Sequence, residues 1–206
     1  MKIIFDHQHG HILNNRVFCE AFAIPEGEKE HELLELGFLP NIEPPLYWYQ
    51  AKSCRINNDK INLSYKRKKI LSQLTFKVFS YEQEKIKVDA FFKNYFEERN
   101  FNLLDSYNKN SNFNNLNVIE LTFENKIVGY TRFIEFDNAI LGLECSFTSE
   151  YPRFSLGKTS IIMLSNYGKT KGINYLYIYE SYDNFFPYKL EISGAEYWEG
   201  EKWINV

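Results

Sequence analysis

Two carboxylates and one short loop hold the chemistry that this sequence can offer. Glu144 stands inside an apolar run ending at Phe147, where a carboxylate is costly unless it is paired or used. Glu180 closes the run Tyr175-Leu176-Tyr177-Ile178-Tyr179, at the strand end where ligand sites of open α/β sheets gather. Between them lies Tyr151-Pro152-Arg153-Phe154-Ser155-Leu156-Gly157-Lys158, a basic turn ahead of Ile161-Ile162-Met163-Leu164. The latter reads as the buried face of a predicted helix, Thr159 to Lys171. Backbone amides at the start of such a helix, from Ser155 to Lys158, suit an anion, and Gly157 lets backbone approach a ligand closely.

The elements needed to position these groups are legible around them. Val118 to Phe123, Lys126 to Phe136 and Ala139 to Phe147 are strand candidates joined by Glu124-Asn125 and Asp137-Asn138. Turns this short make an antiparallel meander. Gly172 ends the helix, and Tyr175 to Tyr179 returns as a strand parallel to Ala139 to Phe147. That order is the one used by N-acetyltransferases: an α/β (α+β) fold of GNAT type, with a mixed sheet flanked by helices. Its sheet splays centrally where the loop begins, opening a V for an acyl donor.

Upstream, Glu28 to Leu36 reads as a short helix with Gly37 as its C-cap. Ser64 is a natural N-cap for a helix bearing Lys66, Arg67, Lys68 and Lys69, with Ile70, Leu71, Leu74 and Val78 as its buried stripe. The basic quartet fits a solvated face or a nucleic-acid contact. Gln83 to Arg99 is a longer helix whose residues Ile86, Ala90, Phe91, Phe92, Tyr95 and Phe96 read as core. Asn100 to Asn117 is polar, a short helix and a loop. Tyr182 to Leu190 starts a further short element, and Trp198 and Trp203 pin the tail as an edge strand or hairpin.

At 206 residues and a formal charge of -3, the chain can bury a real core and is no globally basic nucleic-acid coat. Its 15 Tyr and 18 Phe set it apart, but such rings fill cores as readily as they bind ligands. Cys19, Cys54 and Cys145 are odd in number and widely spaced, which fits buried thiols in a reducing cytosol. His7, His9 and His11 fall on one side of an extended backbone and could reach one zinc. Gly10 among them favours a solvated segment, and no metal site is expected. No run suits export or membrane spanning, so a cytoplasmic protein is expected.

Several short motifs, in order, resemble the aminoacyl-tRNA–protein transferases, the arginyltransferases and aspartate/glutamate leucyltransferases of the N-end rule. They are Leu36-Gly37-Phe38 with Tyr47, then Ser53-Cys54-Arg55-Ile56, then Ser64-Tyr65-Lys66-Arg67-Lys68-Lys69, and Tyr95-Phe96-x-x-Arg99. Ser155-Leu156-Gly157, Tyr175-Leu176-Tyr177-Ile178-Tyr179, Tyr188-Lys189 and Glu196 continue the series, which Gly200-Glu201-Lys202-Trp203 closes. Departures are equally specific. Cys54 stands alone where the family clusters cysteines, Tyr179 replaces a glycine, and Glu180 replaces a tyrosine.

The resemblance implies an N-terminal segment over residues 1–80 and a GNAT-like domain over 81–206, or one continuous domain. It implies transfer of an amino acid from a charged tRNA to the N-terminal amine of a protein or peptide, with no cofactor. Glu180, and second Glu144, would be the base or the ammonium site. Arg153, Ser155, Leu156, Gly157, Lys158, Tyr177, Tyr179, Tyr188 and Lys189 would hold the aminoacyl group and tRNA 3′ end, and Lys66 to Lys69 the tRNA backbone. An N-acetyltransferase using acetyl-CoA or another acyl-CoA is the alternative, and so is a non-catalytic binding protein on the same fold. Against the acyl-CoA reading, Arg153 to Thr159 has one glycine and one residue too many for the usual loop. The pattern sets no oligomeric state.

Overall fold

The computed structural model describes residues 1–6, 12–13, 16–17, 20–41, 47–50, 52–100, 115–181 and 187–206. Its centre is the expected meander: β9 (Leu116–Phe123), β10 (Lys126–Glu135) and β11 (Ala139–Phe147), all antiparallel. Glu124 and Asn125 make the first turn with φ of 47° and 62°, the left-handed pair that a two-residue hairpin needs to match strand twist. At the second turn the amide of Phe136 donates to the carbonyl of Ala139 at 2.8 Å.

Helix α4 (Leu156–Thr170) crosses over to β12 (Tyr175–Glu180), which pairs parallel with β11. The helix lies on β10, β11 and β12. Along β12, Leu176 and Ile178 join Ile140, Phe133 and Leu164 on the α4 side, while Tyr177 joins Leu141, Tyr130 and Phe92 on the other. This alternation is the period-2 signature of a strand buried on both faces.

Eight strands form the main sheet among the described residues, in the order β14-β13-β7-β12-β11-β10-β9-β8. Here β7 is Ser53–Asn57, β8 is Thr75–Ser80, and β13 (Ala195–Trp198) with β14 (Trp203–Asn205) forms the expected tail hairpin. Strands from both sides of residue 80 share this sheet. The second sheet contains β1 (Lys2–Asp6), β4 (Glu20–Ile24), β5 (Phe38–Pro40) and β6 (Trp48–Gln50), in the order β1-β4-β6-β5. A small ribbon pairs β2 (Ile12–Leu13) with β3 (Arg16–Val17). Helix α1 (Glu30–Glu35) leads into β5, and helix α3 (Lys85–Glu98) covers the main-sheet face opposite α4.

Two expectations need correction. Helix α2 (Tyr65–Leu71) is capped by Ser64 as expected, but it ends early. Val78 therefore lies in β8, whose residues pair with β9, and α2 buries no residue fully. On α3 the buried residues are Val88 and Phe92, while Ala90 is exposed and Ile86 is 88% exposed. Ser53–Asn57, a segment with no clear alternation in its sequence, is a central strand between β12 and β13. Its placement comes from partners more than a hundred residues away. His7, His9, His11 and Cys19, with most of 100–117 and of 182–190, lie outside the described residues.

Candidate functional site at the strand splay

Parallel pairing between β11 and β12 covers only Ala139↔Tyr175, Ile140↔Leu176 and Leu141↔Tyr177. Beyond that point both strands carry an extra residue relative to their other neighbours. Thr131 and Phe133 of β10 face Cys145 and Gly142, which places a bulge in β11 around Leu143 and Glu144. Arg55 and Ser53 of β7 face Tyr177 and Glu180, which places a second bulge at Ile178 and Tyr179. Bulges bend strands and re-aim side chains. Two of them at the same level open the sheet.

The opening is a cavity of about 860 Å³. Glu144, Cys145 and Phe147 of β11 line one wall, and Tyr179 and Glu180 of β12 the other. Ser155, Leu156, Gly157 and Lys158 contribute the start of α4, Tyr188 and Lys189 a short 3-10 turn, and Tyr95, Phe96 and Arg99 the end of α3.

The loop before α4 is locked from behind. Pro152–Phe154 makes a 3-10 turn, and Ser155, with φ 47° and ψ 58°, turns the chain into the helix from the left-handed region. Phe154 packs edge-on against Phe123 at 4.8 Å and is stacked by Tyr151 at 5.8 Å. Arg67 donates to the carbonyl of Phe154 at 3.2 Å and to Thr159 Oγ1 at 3.1 Å, tying α2 to the loop. A Cβ added to Gly157 would lie 3.4 Å from Phe147 and 3.9 Å from the Tyr188 hydroxyl, so a branched side chain there would enter the cavity.

The two carboxylates are held differently. Glu144 Oε2 is 3.7 Å from Arg132, a fully buried guanidinium that also pairs with Asp89 at 2.9 Å and lies over the Phe92 ring at 4.0 Å. Glu180 Oε1 accepts from the hydroxyl of Tyr49 at 2.5 Å, a contact arriving from the second sheet. A phenol hydroxyl thus holds one carboxylate and a guanidinium the other.

Lys189 lines the same cavity in a largely desolvated position. Its Nζ donates to the carbonyls of Ile178 at 2.6 Å and Glu180 at 2.8 Å, and burial lowers its pKa against the smaller opposing pull of Cys54, Glu180 and Cys145. Burial drives the cavity thiol of Cys145 up to about 11, and that of Cys54 behind it likewise to about 11. The Tyr188 and Tyr95 hydroxyls are raised chiefly by burial and stay protonated at neutral pH. At the mouth, the Arg99 guanidinium lies 4.0 Å over Tyr95 and 5.2 Å from the Phe147 ring centre.

The structure therefore brings Glu144, Ser155, Leu156, Gly157, Lys158, Tyr179, Glu180, Tyr188 and Lys189 to one cavity. Lys158 is engaged there by Glu191 at 2.5 Å. Two residues expected in the pocket are elsewhere. Tyr177 is buried in the opposite core face, with its hydroxyl 3.5 Å from Arg55, and burial raises it to about 12. Arg153 points away, its guanidinium over the rings of Phe154 at 4.8 Å and Phe123 at 5.5 Å. Of the basic quartet, Lys66, Lys68 and Lys69 are exposed, whereas Arg67 is the internal tie just described.

Tyr95, Phe96 and Arg99 also line the cavity, although the sequence reading placed Tyr95 and Phe96 in the core and gave Arg99 no role in the site. Tyr95 and Arg99 lie four apart at a helix end, a spacing that could have marked them as one face. Nothing local marks Tyr49 or Arg132. Among the described residues no group of three or more His, Cys, Asp or Glu could hold a metal, and no helix is long and apolar enough to cross a membrane. A second cleft, of about 1150 Å³, has Asn41, Tyr47 and Asn115 in its lining.

No family model matches the chain, and no curated protein matches it. Solved structures do. A GCN5-related glucosamine N-acetyltransferase region of a fungal multi-domain GH3 β-N-acetylglucosaminidase superposes with TM-score 0.50 and 11% identity, over 85% of this chain and 23% of that one. A conserved protein of unknown function from Bacteroides thetaiotaomicron gives TM-score 0.50 and 11% identity, over 77% and 60%. The C-terminal DUF2156 domain of a chain named as a lysylphosphatidylglycerol synthetase, from Agrobacterium fabrum, gives TM-score 0.46 and 10% identity over 74% of this chain. This chain spans about half of that one, 51%. At such identities the likeness concerns the fold, which is that of the GCN5-related N-acetyltransferases.

Proposed function

We propose that the chain transfers an aminoacyl group from the 3′ end of a charged tRNA to the α-amine of a protein or peptide, with the splay of β11 and β12 as the donor site. The observation that carries this reading is the pair of carboxylates, one from each splayed strand, in a single cavity. An aminoacyl ester brings an ammonium group into such a cavity and the acceptor brings another, whereas a simple acyl thioester brings none. The aromatic wall of Tyr95, Phe147 and Tyr188 offers faces on which a terminal adenine can stack. The first-turn amides of α4 and the Arg99 guanidinium suit its phosphate.

The ester is already activated, so the protein's work is alignment and the removal of one proton. Glu144, held by buried Arg132, is the anchored carboxylate and takes the donor's ammonium. Glu180, whose Oε1 accepts from the Tyr49 hydroxyl and carries no paired cation in this contact, accepts the proton of the attacking amine. The amine nitrogen attacks the ester carbonyl, the tetrahedral intermediate collapses, and the ribose hydroxyl leaves with a proton. The cavity thiol of Cys145 is not needed, and a thiol at about 11 is a poor nucleophile at neutral pH. Because Arg67 ties α2 to the loop before α4, exposed Lys66, Lys68 and Lys69 accompany the cavity's outer side and suit the tRNA backbone.

Incubation with a total tRNA pool charged with labelled amino acids, and with peptides of different N-termini, tests this. Labelled peptide is the expected product. Acetylation of the same peptides from acetyl-CoA, with no transfer from tRNA, would replace this reading with the acyl-CoA one.

A further inference from the structure

One residue of the cavity breaks two rules of folded proteins at once. Tyr179 has φ 58°, in the left-handed region where a bulky aromatic residue is a true outlier. Its hydroxyl is enclosed, yet it has no hydrogen-bond partner. A buried unpaired hydroxyl costs stability, and so does a strained backbone. Phenylalanine would remove the first penalty and glycine the second. The strain lies at the β12 bulge, on the cavity wall, at the level where β11 and β12 part.

The surroundings narrow the hydroxyl's use. The carboxylates of Glu180 and Glu144 both bear on it, and with burial as the larger cause they push its ionisation far above the usual tyrosine range. The group is therefore a hydrogen-bond donor that does not release its proton. Donors kept in a water-excluded pocket, with no ground-state partner to lose, stabilise charge that develops only during a reaction. We infer that the Tyr179 hydroxyl is the oxyanion donor of the transfer reaction, donating its hydrogen bond to the carbonyl oxygen of the bound acyl group. This rests on the acyl-transfer reading above.

In that step the amine's lone pair forms the new C–N bond, and the carbonyl π pair moves onto oxygen. The Tyr179 O–H shortens its hydrogen bond to that oxygen without giving up the proton. Collapse restores the C=O bond and breaks the bond to the ribose oxygen, which takes the proton released by the amine. Tyr179 is then as it began. The side chains over the hydroxyl must part for the acyl oxygen to reach it, so the donor stays dry until a ligand arrives.

The test is Tyr179→Phe, which removes one oxygen and keeps the ring. Melting temperature and single-turnover transfer from charged tRNA to peptide are measured on both proteins. The expected results have opposite signs: a melting temperature higher by about 2–4 °C, as an unpaired buried hydroxyl is deleted, and transfer slower by roughly 10²–10³-fold at unchanged tRNA KM. An active parent whose Phe variant transfers within twofold of it overturns the inference alone. So does a variant that melts lower, since the hydroxyl then has a structural partner. A parent inactive with every charged tRNA overturns the tRNA reading and takes this inference with it.

Discussion

Strands β11 and β12 are two materials joined end to end. Over their first three pairs they are ordinary core: Ala139, Ile140 and Leu141 are buried, and so are Leu176 and Tyr177 opposite them. Past the bulges the same strands turn half-buried from Gly142 to Cys145 and again at Tyr179 and Glu180, and their side chains become carboxylates, a thiol and a phenol. The paired half satisfies every local rule of a parallel strand. The splayed half violates several: a bulge in each strand, a strained φ and an orphan hydroxyl. Rule-breaking that persists in a folded chain points to use, and here it is confined to the half that lines the cavity.

That contrast can be broken by matched substitutions. Glu180→Gln in the splayed half is expected to slow transfer by roughly 10²–10⁴-fold, the range for loss of a general base, with a melting temperature close to the parent's. Leu141→Ala in the paired half is expected to cost about 2–5 kcal/mol in urea unfolding, as for other fully buried leucines, while the protein that remains folded transfers normally. If the two variants exchanged phenotypes, the halves would not be distinct.

Cys145 sharpens the comparison through its chemistry. Its thiol is held at about 11 against an ordinary 9.0, so alkylation by iodoacetamide at pH 8 should run about a hundredfold slower than for a free thiol. The rate should climb tenfold per pH unit up to about 11, because only the thiolate reacts and burial disfavours it. Mass spectrometry of the Cys145 peptide reads this directly. A plateau near pH 9 would mean that the cavity is wetter than the geometry implies.

The smallest effect is expected on α2, outside the splay. Replacing Lys66 and Lys68 by Gln should weaken binding of charged and uncharged tRNA alike and flatten the salt dependence by about two units of log–log slope. Stability should hardly change, since both side chains are exposed. An unaltered slope would remove α2 from the tRNA interface.

The sequence showed the meander, α4, β12 and the Ser64 cap because each is written locally, in alternation, turn residues or a capping side chain. It could not show β7, since Ser-Cys-Arg-Ile-Asn carries no clear alternation and finds its place only through β12 and β13. Tyr177 and Tyr179 look equivalent in sequence, two residues apart on one strand. The bulge between Tyr177 and Glu180 separates them, sending one to the core and the other to the cavity. Tyr95 and Phe96 were read as core because aromatic stripes on helices are so often core. What decides otherwise is where α3 ends, level with the splay. Tyr49 reaches Glu180 across 131 positions, a distance over which composition says nothing.

The central claim is that the splay receives an aminoacyl group through its two carboxylates. Its most direct test is thermal stabilisation by puromycin, an aminoacyl nucleoside whose labile ester is replaced by an amide, measured beside acetyl-CoA. A ligand present at a hundredfold excess over its Kd stabilises by about 2.7 kcal/mol, well within reach of a melting curve. Puromycin is expected to stabilise the protein, and the stabilisation to disappear when Glu144 and Glu180 are both changed to Gln. Stabilisation by acetyl-CoA alone, or by puromycin undiminished in the double variant, would contradict it.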